Sequence, residues 1–135
     1  MKFVKRKQTD RAKWISKLDR EFSIFIRKRG EKNGFCTCFT CGKIAEIKEM
    51  QCGHYHSRKL LGTRWNEKNC QIQCVACNIY REGNKPVFTM ELIKKYGAQI
   101  LDELNIKARA RSKYEIIDLK LLYEHYKFLN NTGAR

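Results

Sequence analysis

The sequence predicts an α+β fold: a small zinc-stapled core flanked by N- and C-terminal helices. Three observations predict it. Two Cys-x-x-Cys pairs, Cys38/Cys41 and Cys74/Cys77, can bend four sulfurs onto one ion and close a tetrahedral site. The segments on either side of these pairs carry apolar residues at helical spacing. The stretch between shows only short, weakly periodic runs, too small to bury much apolar area, so a metal is its natural staple. The 135 residues suit one domain, read as a basic amphipathic helix over 1–32, a zinc-bearing core over 33–86 and C-terminal helices over 87–135.

In chain order, Trp14, Ile15, Leu18, Phe22, Phe25 and Ile26 share one broad helical face, with Lys13, Lys17, Arg20, Arg27 and Lys28 opposite. Thr9 or Asp10 can cap this helix and Gly30 can end it. Phe35 to Phe39 leads into the first cysteine knuckle, and Gly42 supplies the turn after it. Gln51 to Tyr55 reads as a short strand, Asn69 to Gln73 as a second, and the stretch after Cys77 as the opening of a short helix. Beyond Pro86, Thr89 can cap a helix carrying Leu92, Ile93 and Tyr96, which Gly97 ends. Ala98 to Leu104 is a further helical stretch, and Lys107 to Lys113 a basic connector. Ser112 and Glu115 form a capping-box pattern before Ile116, Leu119, Leu122, Tyr123 and Tyr126. The tail from Asn130 to Arg135 reads as frayed.

Lys and Arg total 29 against 14 Asp and Glu, a formal charge of +15. A small domain this basic points to a polyanion, most often nucleic acid. No uninterrupted apolar run approaches a membrane span and no signal-peptide core is present, so a cytoplasmic chain without a membrane partner is expected. Seven cysteines, an odd number, argue against a secreted disulfide scaffold and for metal ligation in a reducing compartment. Cys36, Cys52 and Cys70 default to plain buried thiols.

The chemistry concentrates between the cysteine pairs. Cys38, Cys41, Cys74 and Cys77 are assigned to structural zinc, with Cys36 as an alternative to Cys38 of less favourable spacing. The segment Gln51–Arg58 reads QCGHYHSR, and strand alternation would put His54 and His56 on one face. Neutral imidazole is the usual group for removing a proton near neutral pH. The structural alternative is that one of these histidines, or Cys52, joins a metal site. Asn78 directly follows the second pair, where with histidine it could hold a second, catalytic metal.

Cys-x-x-Cys, then GHYHSR, TRWNEKN, QCVACN and EGN, resembles the HNH (ββα-metal) endonuclease superfamily and, within it, the phage NinG or Rap recombination nucleases. The likeness runs from about Phe35 to Tyr96. It implies a treble-clef-like ββα-metal core, with His54 as general base, Asn69 bracing the loop that orients it, and Asn78 holding a divalent cation, Mg2+ or Mn2+. His56 can stand in as base or as a further ligand. Many members of that superfamily carry an Asp or His just before the base, where this chain has Gly53. Arg58 and Arg64 match basic positions of the pattern, and Lys59 beside them adds to a DNA-contacting group with the helical Lys13, Lys17, Arg20, Arg27 and Lys28. Trp65 reads as a core plug and Asn84 as a turn residue.

The expected function is metal-dependent cleavage of branched or recombining DNA, including Holliday junctions, where a symmetric homodimer would suit a two-fold substrate. Two other classes compete: a non-catalytic zinc-stabilised DNA-binding module, and a zinc-stapled protein-interaction adaptor.

Overall fold

A computed structural model describes residues 2–133. Its elements run α1 (Asp10–Lys28), β1 (Phe35–Thr37), β2 (Ile44–Glu46), a 3-10 turn (Ile47–Glu49), β3 (Met50–His54), α2 (Leu61–Arg64), β4 (Cys70–Cys74), a π-helical turn (Ala76–Tyr80), α3 (Lys85–Tyr96), α4 (Ile100–Arg109) and α5 (Ile116–Thr132). The fold is mixed α+β. β1 pairs with β2 and β3 with β4, each antiparallel, as two separate two-stranded sheets.

The long terminal helices build the main core. The Thr9 hydroxyl accepts from the Ala12 amide at 3.2 Å, which satisfies an otherwise orphaned N–H at the start of α1. Leu18, Phe22, Phe25 and Ile26 are then buried against Leu119 and Tyr126 of α5, with Trp65 and Cys70 closing the cluster. Phe22 meets Tyr126 edge-on at 5.0 Å, and burying each such ring or aliphatic side chain is worth about 1.5–3 kcal/mol. Trp65 is thus the core plug expected of it. A second cluster holds Cys38, Cys74 and Cys77 with Cys36, Ala45 and Met50. A third joins Phe88 and Leu92 of α3 to Ile100 and Leu104 of α4.

Several boundaries differ from expectation for identifiable reasons. The β3 and β4 assignments each shift by one residue toward Met50 and Cys74, although Tyr55 still donates its amide to the Asn69 carbonyl at 2.9 Å. Thr89 does not cap α3. That helix starts at Lys85 with Asn84 at the cap, because Pro86 fits the first turn, where its missing N–H needs no partner. Thr89 lies a turn inside, donating to the Lys85 carbonyl at 2.9 Å and pairing with the Tyr55 hydroxyl at 2.8 Å. α4 continues through Lys107 and Arg109 because Leu104 and Ala108 still face the interior, so only Ala110 to Glu115 connects onward. The capping box of α5 is Glu115 with Asp118, one turn later than Ser112 with Glu115. Its far end is not frayed through residue 132, because buried Asn130 donates to the backbone and carboxylate oxygens of Glu21, both at 2.9 Å. Ala134 and Arg135 lie outside the described residues. No described helix is long and apolar enough to cross a membrane.

Candidate functional site

The Phe39 amide, between Cys38 and Cys41, donates to the Ile72 carbonyl of β4 at 2.8 Å and so sets the first knuckle beside the second cysteine pair. The sulfurs of Cys38, Cys41, Cys74 and Cys77 all lie within 4.8 Å of one another, and those of Cys41 and Cys74 are 3.6 Å apart. These four residues could hold a metal such as zinc, and their surroundings suit thiolate ligands. Thr40 Oγ1 sits 3.4 Å from Cys38 Sγ, while Arg81 and Asn84 donate to Cys77 Sγ at 3.8 and 3.6 Å. Burial alone would raise the Cys38 thiol. The Thr40 hydroxyl and backbone amides outweigh it and bring Cys38 down to about 6. The Lys43 amide works to lower Cys41, but burial and the sulfurs of Cys74, Cys38 and Cys77 push it up to about 12. Metal binding would take the remaining thiol protons, since the thiolate is the ligand. Cys36 stays outside this group as a buried thiol donating to the Arg27 carbonyl at 3.5 Å.

Beside this cluster, one face of α1 faces the β3 strand and the π-helical turn across an open cleft of about 690 Å3. Asp19, Ser23 and Arg27, one helical turn apart each, line one wall; Gln51, Cys52, His54 and Asn78 line the other. His54 and Asn78 therefore border the same cavity. His54 Nε2 lies 2.9 Å from the Arg64 carbonyl. A carbonyl only accepts, so Nε2 carries the proton and Nδ1 keeps its lone pair. Burial, joined by the charges of Arg58 and Arg64, lowers the His54 pKa against the opposing pull of the Arg64 carbonyl and Asp19, so the ring is neutral at pH 7. Asn78 donates from Nδ2 to Gln51 Oε1 at 2.8 Å, which fixes its amide at the cleft wall.

His56 does not share this face. β3 ends at His54, so the alternation behind that expectation stops before it reaches His56. The His56 ring is instead influenced by Asn105 of α4, and burial lowers its pKa. Asn69, implied as a catalytic-site residue that braces the loop, is fully buried and is not among the residues lining this cleft. Its Oδ1 accepts from the His56 amide at 2.9 Å, and its Nδ2 donates to the carbonyls of His56 and Thr63 at 3.2 and 3.0 Å. It is a positioning residue, pinning the loop after β3 to α2. Gly53 has a packing reason: a Cβ there would stand 1.9 Å from the Oε1 of buried Gln73. A side chain there, ligating or otherwise, would require Gln73 to move.

The expected DNA contacts divide. Lys13, Lys17, Arg20, Arg58 and Lys59 are exposed. Arg64 is not free. Its guanidinium clasps Asp19 at 3.1 and 2.6 Å and donates to the Arg58 carbonyl at 2.9 Å. Lys28 reaches the Asn130 carbonyl at 3.4 Å, and Arg27 turns to the cleft and the Ile47 carbonyl. Both leave the solvated stripe because α1 is covered on those sides by α5 and by the turn before β3. Sequence reasoning missed Asp19. It also accepts from Trp65 Nε1 at 2.9 Å, so it anchors the residue whose carbonyl orients His54. Only its place a turn before Ser23 and Arg27 signalled it. Lys85 was missed too: it donates to the His54 carbonyl at 2.7 Å and to that of Tyr55, holding the end of β3.

The family model described as Bacteriophage Lambda NinG protein matches residues 1–132. The chain is 29% identical to Protein ninG of Escherichia phage lambda over 117 residues, covering 86% of this chain and 55% of that one. It is 30% identical to the ninG proteins of Escherichia phage 933W and Salmonella phage P22 over 95 residues, 70% of this chain and 45% of each. It thus spans about half the length of these relatives. No solved structure matches.

Proposed function

The chain belongs to the bacteriophage NinG family, and from that premise and the cleft we propose a metal-dependent DNA endonuclease on an HNH-type ββα-metal core. Its substrate is branched or recombining DNA, including four-way junctions. The observation that supports the reading best is that His54, with Nδ1 unprotonated, and Asn78 border one cavity whose rim carries Arg27, Lys48, Arg58 and Lys85.

His54 takes a proton from a water through Nδ1 while Nε2 stays on the Arg64 carbonyl. The Asp19–Arg64 clasp keeps that carbonyl in place, and Asn69 and Lys85 hold the backbone that follows His54. Asn78 would hold Mg2+ or Mn2+ by its amide oxygen, and that ion when bound would stabilise negative charge developing on the phosphate. The four cysteines hold structural zinc. Arg58 and Lys59 meet the phosphodiester backbone, which positions DNA without reading bases, so selectivity comes from the shape of the branched substrate.

The test is cleavage of a synthetic four-way junction and of linear duplex in Mg2+ or Mn2+, beside His54→Ala and Asn78→Ala. We expect junction cutting by the unmodified chain and its loss in both variants with binding retained. Tight binding without cutting under every metal and substrate would leave a non-catalytic DNA-binding module instead.

A further inference from the structure

Two cysteines outside the zinc cluster converge on the same histidine. Cys52 precedes His54 by two residues on β3, so both side chains point to one side of the strand. Cys70 stands directly opposite His54 in the β3–β4 ladder, and directly opposed residues share a face. The two sulfurs and a His54 ring nitrogen all lie within 4.8 Å of one another. Ligand atoms around zinc, at bond lengths of about 2.0–2.3 Å and tetrahedral angles, stand roughly 3.3–3.8 Å apart. Side-chain rotation of about an ångström closes that difference. Cys52 and His54 line the cleft while Cys70 is buried beneath them, so an ion arrives from the cleft side.

We propose that Cys52, His54 and Cys70 form a second metal site, for a thiophilic divalent ion such as Zn2+, whose occupancy silences the cleft. Binding transfers the two thiol protons to solvent and gives one ion two thiolates and one imidazole, with a fourth position open. Such a donor set selects zinc-like ions over Mg2+, which prefers oxygen ligands, so the two metals do not compete for one place. The silencing half rests on His54 being the base of the nuclease proposed above. Ligation through Nδ1 takes the lone pair that would accept the water's proton. Ligation through Nε2 breaks the bond to the Arg64 carbonyl and shifts the ring proton to Nδ1, which then has no lone pair for the water's proton.

The full chain, kept reduced, is given excess Zn2+ and desalted, and bound zinc is counted by elemental analysis. We expect two equivalents, falling to one in Cys52→Ser. One equivalent in both proteins, or two in both, overturns the site. A measurement needing no variant is alkylation of half-exposed Cys52 followed by mass spectrometry. Zinc protection of that thiol supports the site, and equal labelling with and without added zinc overturns it. For silencing, micromolar Zn2+ added to junction cleavage in Mg2+ should lower the rate at least 10-fold, with Cys52→Ser resisting when scaled to its own zinc-free rate. Equal inhibition of both overturns silencing. The zinc count stands apart from cutting: two equivalents on a chain that never cuts defeats the nuclease and keeps the metal site.

Discussion

His54 is the residue on which most of the chemistry turns, and its surroundings make its behaviour with pH predictable. Burial disfavours the imidazolium, so the pKa lies below the ordinary 6.5. The base form then persists to lower pH than it would in an exposed histidine. Junction cleavage should therefore lose its rate at a lower pH than a base of ordinary histidine pKa would, as a pH–rate profile would read. The same shift has a stability consequence. A folded pKa below the unfolded one means that the unfolded chain binds the proton more readily. The contribution is present above about 6.5 and is lost as pH falls from there through the folded value. His56, also lowered by burial, acts with the same sign, so the thermal midpoint should drop on mild acidification. Asp19 carries a second prediction. Asp19→Ala strips the Arg64 guanidinium and the Trp65 ring N–H of their shared acceptor, in a pair whose side chains are only about a fifth exposed. A loss of about 1–3 kcal/mol of stability follows. So does a fall of roughly 10- to 100-fold in kcat, with binding little changed, as the carbonyl behind His54 shifts. Steady-state kinetics beside thermal melts would check both. His54 was legible because few histidines occur in the chain and two of them sit between the knuckles. Asp19 was not, because an aspartate among the basic residues of a helix reads as a solvated charge until the partner helix end is known.

At the scale of elements, legibility followed the strength of the local signal. α1 was readable from Thr9 onward because a capping residue, a wide apolar stripe and basic residues near its end all agree. α3 was misread at its start because Thr89 resembles a cap. Pro86 and the Asn84 turn, with φ +50, begin the helix a turn earlier. The strands β3 and β4 were read but their ends were blurred, since a two-stranded ribbon carries few alternating positions and its ends depend on loop contacts such as those of Asn69. The register itself sets a test. A Cβ on Gly53 would meet Gln73 Oε1 at 1.9 Å, and Gln73 is held by bonds to the Thr40 hydroxyl and the Gly83 carbonyl. Gly53→Ala must either eject Gln73 or part the strands, at about 1–3 kcal/mol. Denaturant unfolding should show the loss, and the cleft, formed by the same ribbon, should lose activity with it. Gly62→Ala makes a companion case. Its Cβ would stand 2.0 Å from the Lys107 backbone carbonyl, so α2 and α4 would have to move apart.

For the whole molecule, the metal cluster and the charge decide the outcome. The segment between α1 and α3 has only a small sulfur-lined core of its own, and structural zinc in small domains is worth about 10–16 kcal/mol in apparent binding energy. With zinc held by the four cysteines as proposed, stripping it with a strong chelator should therefore disorganise β1 to β4 and the cleft. The α1–α5 pairing, which rests on its own apolar cluster, should keep part of the helical signal, so circular dichroism should fall in two steps rather than one. The charge gives the last prediction. A formal +15 does not say how many cations face DNA; the structure narrows the named group to Lys13, Lys17, Arg20, Arg58 and Lys59, because Arg64, Lys28 and Arg27 bond to the protein itself. Each phosphate neutralised releases counterions, steepening the fall of log affinity with log salt by about 0.9. About five contacts then imply a loss of roughly 10²- to 10³-fold in junction affinity between 50 and 200 mM salt. Replacing Lys13, Lys17 and Arg20 together by alanine should reduce that slope by roughly three while sparing the fold, since all three are exposed on α1. An unchanged slope would move the DNA face off α1, and a near-zero slope in the unmodified chain would favour the protein-interaction adaptor.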